Sequence, residues 1–429
     1  MNAPLQQTTA RRAALAFIFV TVVLDMLALG IAVPVLPTLV KEFEGGDSAR
    51  AATIYGVFGM VFAGMQFLFA PLLGALSDRF GRRPAILISN VGLGLDYVLM
   101  ALAPSVPWLF VGRVISGICA ASFSIPMAYI ADVTPPERRA ASFGLLGAGF
   151  GLGFVIGPAF GGLLGSVDPR LPFWVAAACS LANATYGLFI LPESLPRERR
   201  GRVDWRKANP AGALGLLLRS RMVFGVAAVM FLSSIAHEVL PSMWVLYTDY
   251  RYHWDTRTVG LTLAAVGAAS AVVQAGLVGT AVSRLGERRS LLMGLALGAV
   301  SFAIYGLAPS GFLFCVGIPW MALWGISGPA AQSMLTHEMD PAEQGRLQGA
   351  ISALQGVAHM LGPPLFTTSF ALGVSRPGDW QVPGAPFVLA AGLLATACML
   401  GWQVAHSGPR PRHADSQPPA ARLEDLACE

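Results

Sequence analysis

Charge is scarce in this chain. Asp, Glu, Lys and Arg make up 12% of its 429 residues, about half the ~25% of an ordinary soluble domain, which excludes a water-facing surface over most of its length. Cysteine and histidine are few and scattered. Cys119, Cys179, Cys315 and Cys398 lie inside apolar segments and Cys428 in the tail, so neither a disulfide framework nor a bound metal is expected. Six histidines form no surface cluster with carboxylates of the kind a membrane-embedded enzyme would need. The net charge of +5 and pI near 9.1 would suit a nucleic-acid partner, but the basic residues sit in short loops between apolar runs. Membrane orientation accounts for them, and no nucleic-acid partner is expected.

Apolar length is what the chain has in abundance: 55% hydrophobic residues and a mean hydropathy of +0.61. A bilayer core of ~30 Å takes about 20 residues of helix, so this length allows roughly a dozen spans. The 48 glycines and 30 prolines are compatible with them, because membrane helices tolerate both. The pattern predicts an all-α membrane protein with twelve spans, near 13–38, 53–74, 84–103, 107–130, 142–165, 171–192, 222–248, 258–283, 290–308, 312–335, 345–370 and 384–406. Arg11-Arg12 precede an apolar run too long for a signal-peptide core, which reads as an uncleaved first helix.

With both termini in the cytoplasm, the cytoplasmic segments hold 22 of the 29 Lys and Arg, the opposite side holds Lys41, Arg50, Arg170, Arg251, Arg257 and Arg376, and Arg113 is embedded. That asymmetry favours an N-in, C-in topology. The expected organisation is an N-terminal six-helix bundle (1–192), a cytoplasmic linker with an amphipathic piece (193–221), a C-terminal six-helix bundle (222–407) and a disordered tail (408–429).

The two halves repeat. Gly74, Arg79, Gly81 and Arg83 recur 205 positions later as Gly279, Arg284, Gly286 and Arg288, and Gly157-Pro158 as Gly362-Pro363; Asp132 and Glu137 have counterparts at an offset of 206 in Glu338 and Glu343. Such duplication belongs to transporters with a site at mid-membrane between the repeats.

Asp25 lies about twelve residues into the first span, ~18 Å deep at 1.5 Å per residue, and Asp96 is similarly deep in the third. Embedded acids mark proton relays and substrate paths in transporters, which makes both candidate proton carriers and Asp96 a candidate substrate contact. A structural hydrogen bond to a neighbouring helix is the alternative for each. Arg113, in the fourth span, has two readings, a coupling cation or a snorkelling side chain. His237 and Glu238 are candidate substrate contacts that either face a central cavity or lie near the outer headgroups. Gln66, Gln274, Gln332, Gln355 and His359 are polar groups with substrate-binding or packing uses, and of the glutamines Gln66 is kept as a binding candidate. The glycine-rich fifth span, with Gly153, Gly157, Pro158, Gly161 and Gly162, permits close helix approach and a bend.

Several of these stretches resemble signatures of the major facilitator superfamily. Gly74-x3-Asp78-Arg79-x-Gly81-Arg82-Arg83 is similar to its loop between the second and third helices, Arg113-x3-Gly117 to its fourth-helix signature, and Gly153-x3-Gly157-Pro158-x2-Gly161-Gly162 to the antiporter pattern of its drug exporters. Further matches run from about residue 13 to 405: Ala70 to Pro84, Asp96-Tyr97, Ala128-Tyr-Ile-Ala-Asp132, Leu191-Pro-Glu-Ser, His253-Trp-Asp and Leu285-Gly-Glu-Arg-Arg. Together these resemble the tetracycline/proton antiporters. The resemblance implies a multi-pass protein of a bacterial inner membrane that exports tetracycline, carried as a divalent-cation complex, in exchange for protons, with no permanently bound cofactor and no more than a monomer required. It implies a gate in which Asp78 meets the free amides at the start of the eleventh helix, near Gln344-Gly345-Arg346, and Arg79, Arg82 or Arg83 pairs with Asp132. It also implies that Arg113 senses protonation of a nearby acid.

One departure stands out. Those exporters carry an embedded aspartate in the ninth helix where this chain has Gly298, while Glu238 stands where they tend to have a neutral residue. A related efflux pump for another drug or metabolite is therefore the second reading.

Overall fold

The computed structural model describes residues 3–120, 124–200, 215–339, 343–375 and 381–407. The tail from 408 and most of the linker, 201–214, fall outside them. Twelve helical units follow the expected order: α1 (Ala3–Ala32, continued by Leu36–Phe43), α2 (Ser48–Phe80), α3 (Arg82–Leu102), α4 (Val106–Ala120 and Ser124–Val133), α5 (Pro136–Gly165), α6 (Leu171–Ile190), α7 (Arg221–His237 and Val239–Tyr252), α8 (Thr256–Val272, a π-helical turn at Val273–Leu277, and Val278–Leu285), α9 (Glu287–Leu307), α10 (Gly311–Trp324 and Ser327–His337), α11 (Gln344–Val374) and α12 (Ala385–Ser407). Among the described residues there is no strand. Eleven of the units are both long and apolar enough to cross a bilayer. The exception is α11, which has the length at 31 residues but carries Arg346, three glutamines and His359, as a helix turned toward another half of the protein rather than toward lipid can.

Local chemistry sets the ends and breaks. Asp47 caps α2 by accepting from the amides of Ala49 (2.9 Å) and Arg50 (3.0 Å), and Asp255 caps α8 through the amide of Thr258 (2.9 Å); hydrogen bonds from Thr258 hold the Asp255 carboxyl below its ordinary range. The breaks in α1, α7 and α10 each precede a proline, Pro37, Pro241 and Pro329. A proline lacks the N–H for the carbonyl four residues back and its ring crowds that carbonyl. Pro37 and Pro241 stand 204 positions apart, so the duplication extends to the broken helices.

Helices α1 to α6 pack among themselves (α1 on α5 and α6, α3 on α4 and α6), as do α7 to α12 (α9 on α10 and α12, α7 on α12). The two six-helix halves meet along two seams, α2 with α11 and α5 with α8. Glycines show how tight the seams are and where they end. A Cβ on Gly59 would stand 2.7 Å from Pro363 Cβ, one on Gly56 3.0 Å from Thr367 Cβ, one on Gly162 2.9 Å from Gly260 Cα, and one on Gly267 2.7 Å from Val155 Cγ2. Toward the arginine-rich end the same helices part: a Cβ on Gly74, Gly144, Gly147, Gly276, Gly279 or Gly349 would meet nothing within 4 Å. The bundle is therefore sealed at the end that carries Lys41 and Asp249 and open at the end that carries the arginine loops. At the sealed end Lys41 Nζ, from α1, pairs with Asp249 Oδ2, from α7, at 2.5 Å.

Gly81 ends α2 with φ +113°, and its counterpart Gly286 ends α8 with φ +80°. A Cβ on Gly81 would also stand 2.8 Å from the Glu193 carboxyl carbon. Replacing Gly81 with Ala should cost about 1–3 kcal/mol from the backbone conformation alone, read as a lower melting temperature in detergent, whereas Gly74→Ala, in open space, should leave it unchanged. Equal shifts for both would contradict this assignment.

The sealed seam makes a second expectation. Asp249→Ala removes a half-exposed ion pair worth no more than about 1 kcal/mol and should raise thiol labelling at the sealed end modestly. Gly162→Val forces two backbones apart and should raise it much further. A larger effect from Asp249→Ala would contradict a seam set by backbone contact.

Candidate functional site

The arginine loop is a network within the first half. Arg82 is its hub: one guanidinium nitrogen pairs with Asp78 Oδ1 (2.5 Å), Nε with Asp132 Oδ2 (3.3 Å), and a third nitrogen donates to Ser77 Oγ (2.6 Å). The Arg82 amide donates to Glu193 Oε1 (2.9 Å), which thus caps α3 from beyond α6. Arg83 donates to the Leu188 carbonyl (2.5 Å), and Arg79 lies over the Phe80 ring. Arg82 is thus the arginine that pairs with Asp132. Asp78 does not meet α11 in this conformation, because the two halves have parted there and the carboxylate turns back to Arg82.

The second half keeps a pair at the equivalent place with its charge order reversed. Glu287, 205 positions after Arg82, lies 3.3 Å from His337 Nδ1, 205 positions after Asp132, and accepts from Ser333 Oγ (2.5 Å). His337, not Glu338, is therefore the structural counterpart of Asp132. Arg219 joins the end of the linker to Glu343 at the start of α11.

The mid-span groups gather as follows. Asp25 is buried, its Oδ1 accepting from Asn183 Nδ2 of α6 (2.9 Å); the same amide nitrogen donates to the Thr21 carbonyl (3.2 Å). The hydrogen bond to a neighbouring helix is thus present, in the one place it leaves Asp25 beside a neutral partner. Asp96 is 1% exposed, and neither of its oxygens has a close hydrogen bond among the described residues, with the Ser116 hydroxyl its nearest polar neighbour. Ser116, beside it, donates to the Gly112 carbonyl instead (2.7 Å), and a Cβ on Gly112 would stand 2.9 Å from Asp96 Oδ1. Arg113 is within electrostatic reach of Asp96 without a close ion pair. It donates to Met100 Sδ (3.2 Å), its guanidinium sits 5.6 Å from the Phe62 ring centre on α2, and its Nε is buried without a partner. Arg113 is therefore drawn inward rather than out to the headgroups. Tyr97, fully buried, is within reach of Asp25, Asp96 and Arg113 alike.

Glu238 occupies the break of α7, midway along the span Arg221–Tyr252, which places it and His237 at mid-span and not near the headgroups. Its Oε1 lies 3.7 Å from His359 Nε2 of α11 and 3.9 Å from His237 Nδ1. His237 stacks on Trp324 of α10 (centroids 5.6 Å). Gly298 is filled by that same Trp324, whose Cγ would stand 2.7 Å from a Cβ placed there; an aromatic ring occupies the space an acid would take. Trp324 was not among the residues the sequence singled out, and nothing local marks it. Gln66 donates to the Ala120 carbonyl (3.4 Å), tying α2 to α4. In α5 the glycines serve two contacts. Gly153, Gly157 and Gly161 lie against α1, where a Cβ on Gly157 would stand 2.7 Å from Gly30 Cα, while Gly162 faces α8 and Pro158 presents its carbonyl to Gly260.

Comparison with known proteins agrees with this architecture. The model of the Major Facilitator Superfamily matches residues 18–363. The class C tetracycline resistance protein of Escherichia coli is 38% identical over 380 residues, 89% of this chain and 94% of that protein. The class G protein of Vibrio anguillarum is 37% identical over 358 residues, 83% and 90% of the two chains. Among solved structures, the human organic anion transporter MFSD10 (TETRAN) superposes with a TM-score of 0.67 at 22% identity, covering 91% of this chain and 99% of that one. A bacterial homolog of the human lysosomal transporter Spinster, in an inward-facing and unoccupied conformation, superposes at 0.75 with 16% identity, covering 92% and 97%. Twelve helices in two repeated halves, the loop and α5 signatures, and these matches over most of the chain place this multi-pass membrane protein in the major facilitator superfamily, among the tetracycline resistance proteins.

Proposed function

We propose that the protein exports tetracycline, as its divalent-cation complex, in exchange for protons across a bacterial inner membrane, with the arginine-rich end in the cytoplasm. The observation that carries this reading is the pair Asp96 and Arg113, an embedded acid and an embedded base, each with unpartnered polar atoms and within reach of one another but not joined. Loss of a proton from Asp96 leaves a charge that Arg113 is placed to meet. Meeting it draws the guanidinium from Phe62, and Phe62 belongs to α2, one of the two helices that form a seam between the halves. Gly117 of α4 also packs on α2, where a Cβ would stand 2.7 Å from the Phe62 carbonyl oxygen. A proton on or off Asp96 therefore acts on the helix that sets which end of the bundle is sealed. Asp25, beside Asn183, is the second acid of the same half.

With that orientation the open cleft faces the cytoplasm, and drug enters from there between the parted ends of α2, α5, α8 and α11. Rocking about the seams then closes the arginine end, where Asp78 becomes free to meet the amides at the start of α11, and breaks Lys41–Asp249 at the far end. Drug leaves outward and protons enter on the return. A monomer suffices for this cycle, and drug, protons and lipid are its partners. Export of another amphipathic drug is the second reading, favoured by one observation: Trp324 fills the place at Gly298 where a ninth-helix acid would stand.

Asp25→Asn and Asp96→Asn should each abolish drug uptake driven by a proton gradient in inverted vesicles while drug binding persists. Undiminished gradient-driven uptake would contradict the roles given to them. Expression in cells lacking their own pumps should raise tetracycline tolerance. Unchanged tolerance with retained export of another drug would favour the second reading.

A further inference from the structure

We propose that Glu238 and His359 form a second proton-binding station, in the C-terminal half, which adds one proton to the exchange. The inference rests on the antiport reading above and extends it to groups that reading does not use. Glu238 is the one carboxylate at mid-span in that half among the described residues; Asp249 and Asp255 lie at the sealed end and Glu287 at the arginine end. Its side chain is 12% exposed, and its ion-pair partners are two imidazoles, each more than 3.5 Å away. That is beyond a hydrogen bond and within one small rotamer change of it.

The surroundings place this group at the joint between the halves. Pro241 breaks α7 just after it, and a Cβ on Gly362 of α11 would stand 2.5 Å from Glu238 Cγ, so its stem is fixed while its carboxyl end faces His359. On α11, His359 lies between Gly356, packed on Phe67 of α2, and Gly362, packed on Glu238 of α7. This location puts the imidazole where the two halves converge. Tyr55 of α2 is within electrostatic reach of both Glu238 and Arg113, and its hydroxyl donates to the Pro241 carbonyl (3.3 Å). Tyr55 thus links the N-terminal acid and base to the C-terminal pair. The groups that face Glu238 are His237 on its own helix, His359 from α11 and Tyr55 from α2. From α10 the Trp324 ring lies against His237, and α12 brings no charged residue between Ala385 and Val404.

The chemistry balances within the pair. The Glu238 carboxyl proton passes to His359 Nε2, leaving a carboxylate beside an imidazolium with no change in total charge. The imidazolium then gives that proton to water in the cleft, and the pair becomes neutral imidazole and carboxylate. Histidine is suited to the second step because one imidazole nitrogen can accept a proton while the ring releases one to water. His359 is half exposed, which gives it the access to water that Glu238 lacks.

Two measurements on the full-length protein test this. The first counts protons exchanged per tetracycline, supplied with Mg²⁺, in proteoliposomes. Glu238→Gln should lower the count by one, Glu238→Asp should restore it, and His359→Gln should keep the count but slow exchange and change the shape of its pH profile. The second is potentiometric titration of the purified protein in detergent without drug, with folding checked by gel filtration. Glu238→Gln should bind one proton fewer than the parent between pH 4 and 9. Wild-type protein that titrates this group yet exchanges no proton for tetracycline would overturn the antiport reading while leaving the station standing. An unchanged proton count and titration in Glu238→Gln, with only a raised KM or an altered Mg²⁺ requirement, would overturn the station and make Glu238 a contact for the drug chelate.

Discussion

Backbone contact between glycines, prolines and small side chains at one end of the bundle is the constraint on which the rest depends. Helices from different halves approach this closely only where no Cβ intervenes, and at Gly56, Gly59, Gly162 and Gly260 none does. A membrane offers little hydrophobic drive between helices, so such packing supplies the attachment. The seam is short. It stops before Gly74 on α2 and Gly276 on α8, and two six-helix bodies joined at one end alone enclose a cleft open at the other. The mid-span charges lie deep in that cleft's walls, near the level at which the seam begins.

The charges fall into two systems with different work. At the arginine end Arg82 binds Asp78, Asp132 and Ser77 within the first half, and Glu193 caps α3. This system ties α2, α3, α4 and the segment after α6 together within the first half. The second half solves the same problem with Glu287 and His337, an inversion of sign at the same offset. The mid-span system is the opposite kind: Asp96, Arg113 and Glu238 are close to partners without being joined to them. Unsatisfied polar groups in such a setting cost free energy in either arrangement.

Much of the fold was legible because its signals are local. Runs of apolar residues of bilayer length mark the helices, prolines mark the breaks, and the repeat at 205 positions fixes which loops are equivalent. An arginine partner for Asp132 was expected from the family resemblance, with Arg79, Arg82 and Arg83 equal candidates until α3 and α4 were placed. Contacts between distant helices were not readable. Asn183 meets Asp25 across 158 positions, and Trp324 fills the space beside Gly298 from another helix. Glu338 looked like the counterpart of Asp132, but helical phase at the end of α10 presents His337. Asp78 turns back to Arg82 because the halves have parted there, and the relative position of the halves is a property that no single segment encodes.

Paired spin labels would report rocking of the two halves about the glycine seams. One pair would report the arginine end, at positions 74 and 349 on α2 and α11, and the other the sealed end, at positions 47 and 375. Adding tetracycline with Mg²⁺, or changing pH across the range in which the acids titrate, should shorten the first distance and lengthen the second together, with distances inside each half unchanged. Shortening at the arginine end with no change at the sealed end, or changes within one half, would contradict it.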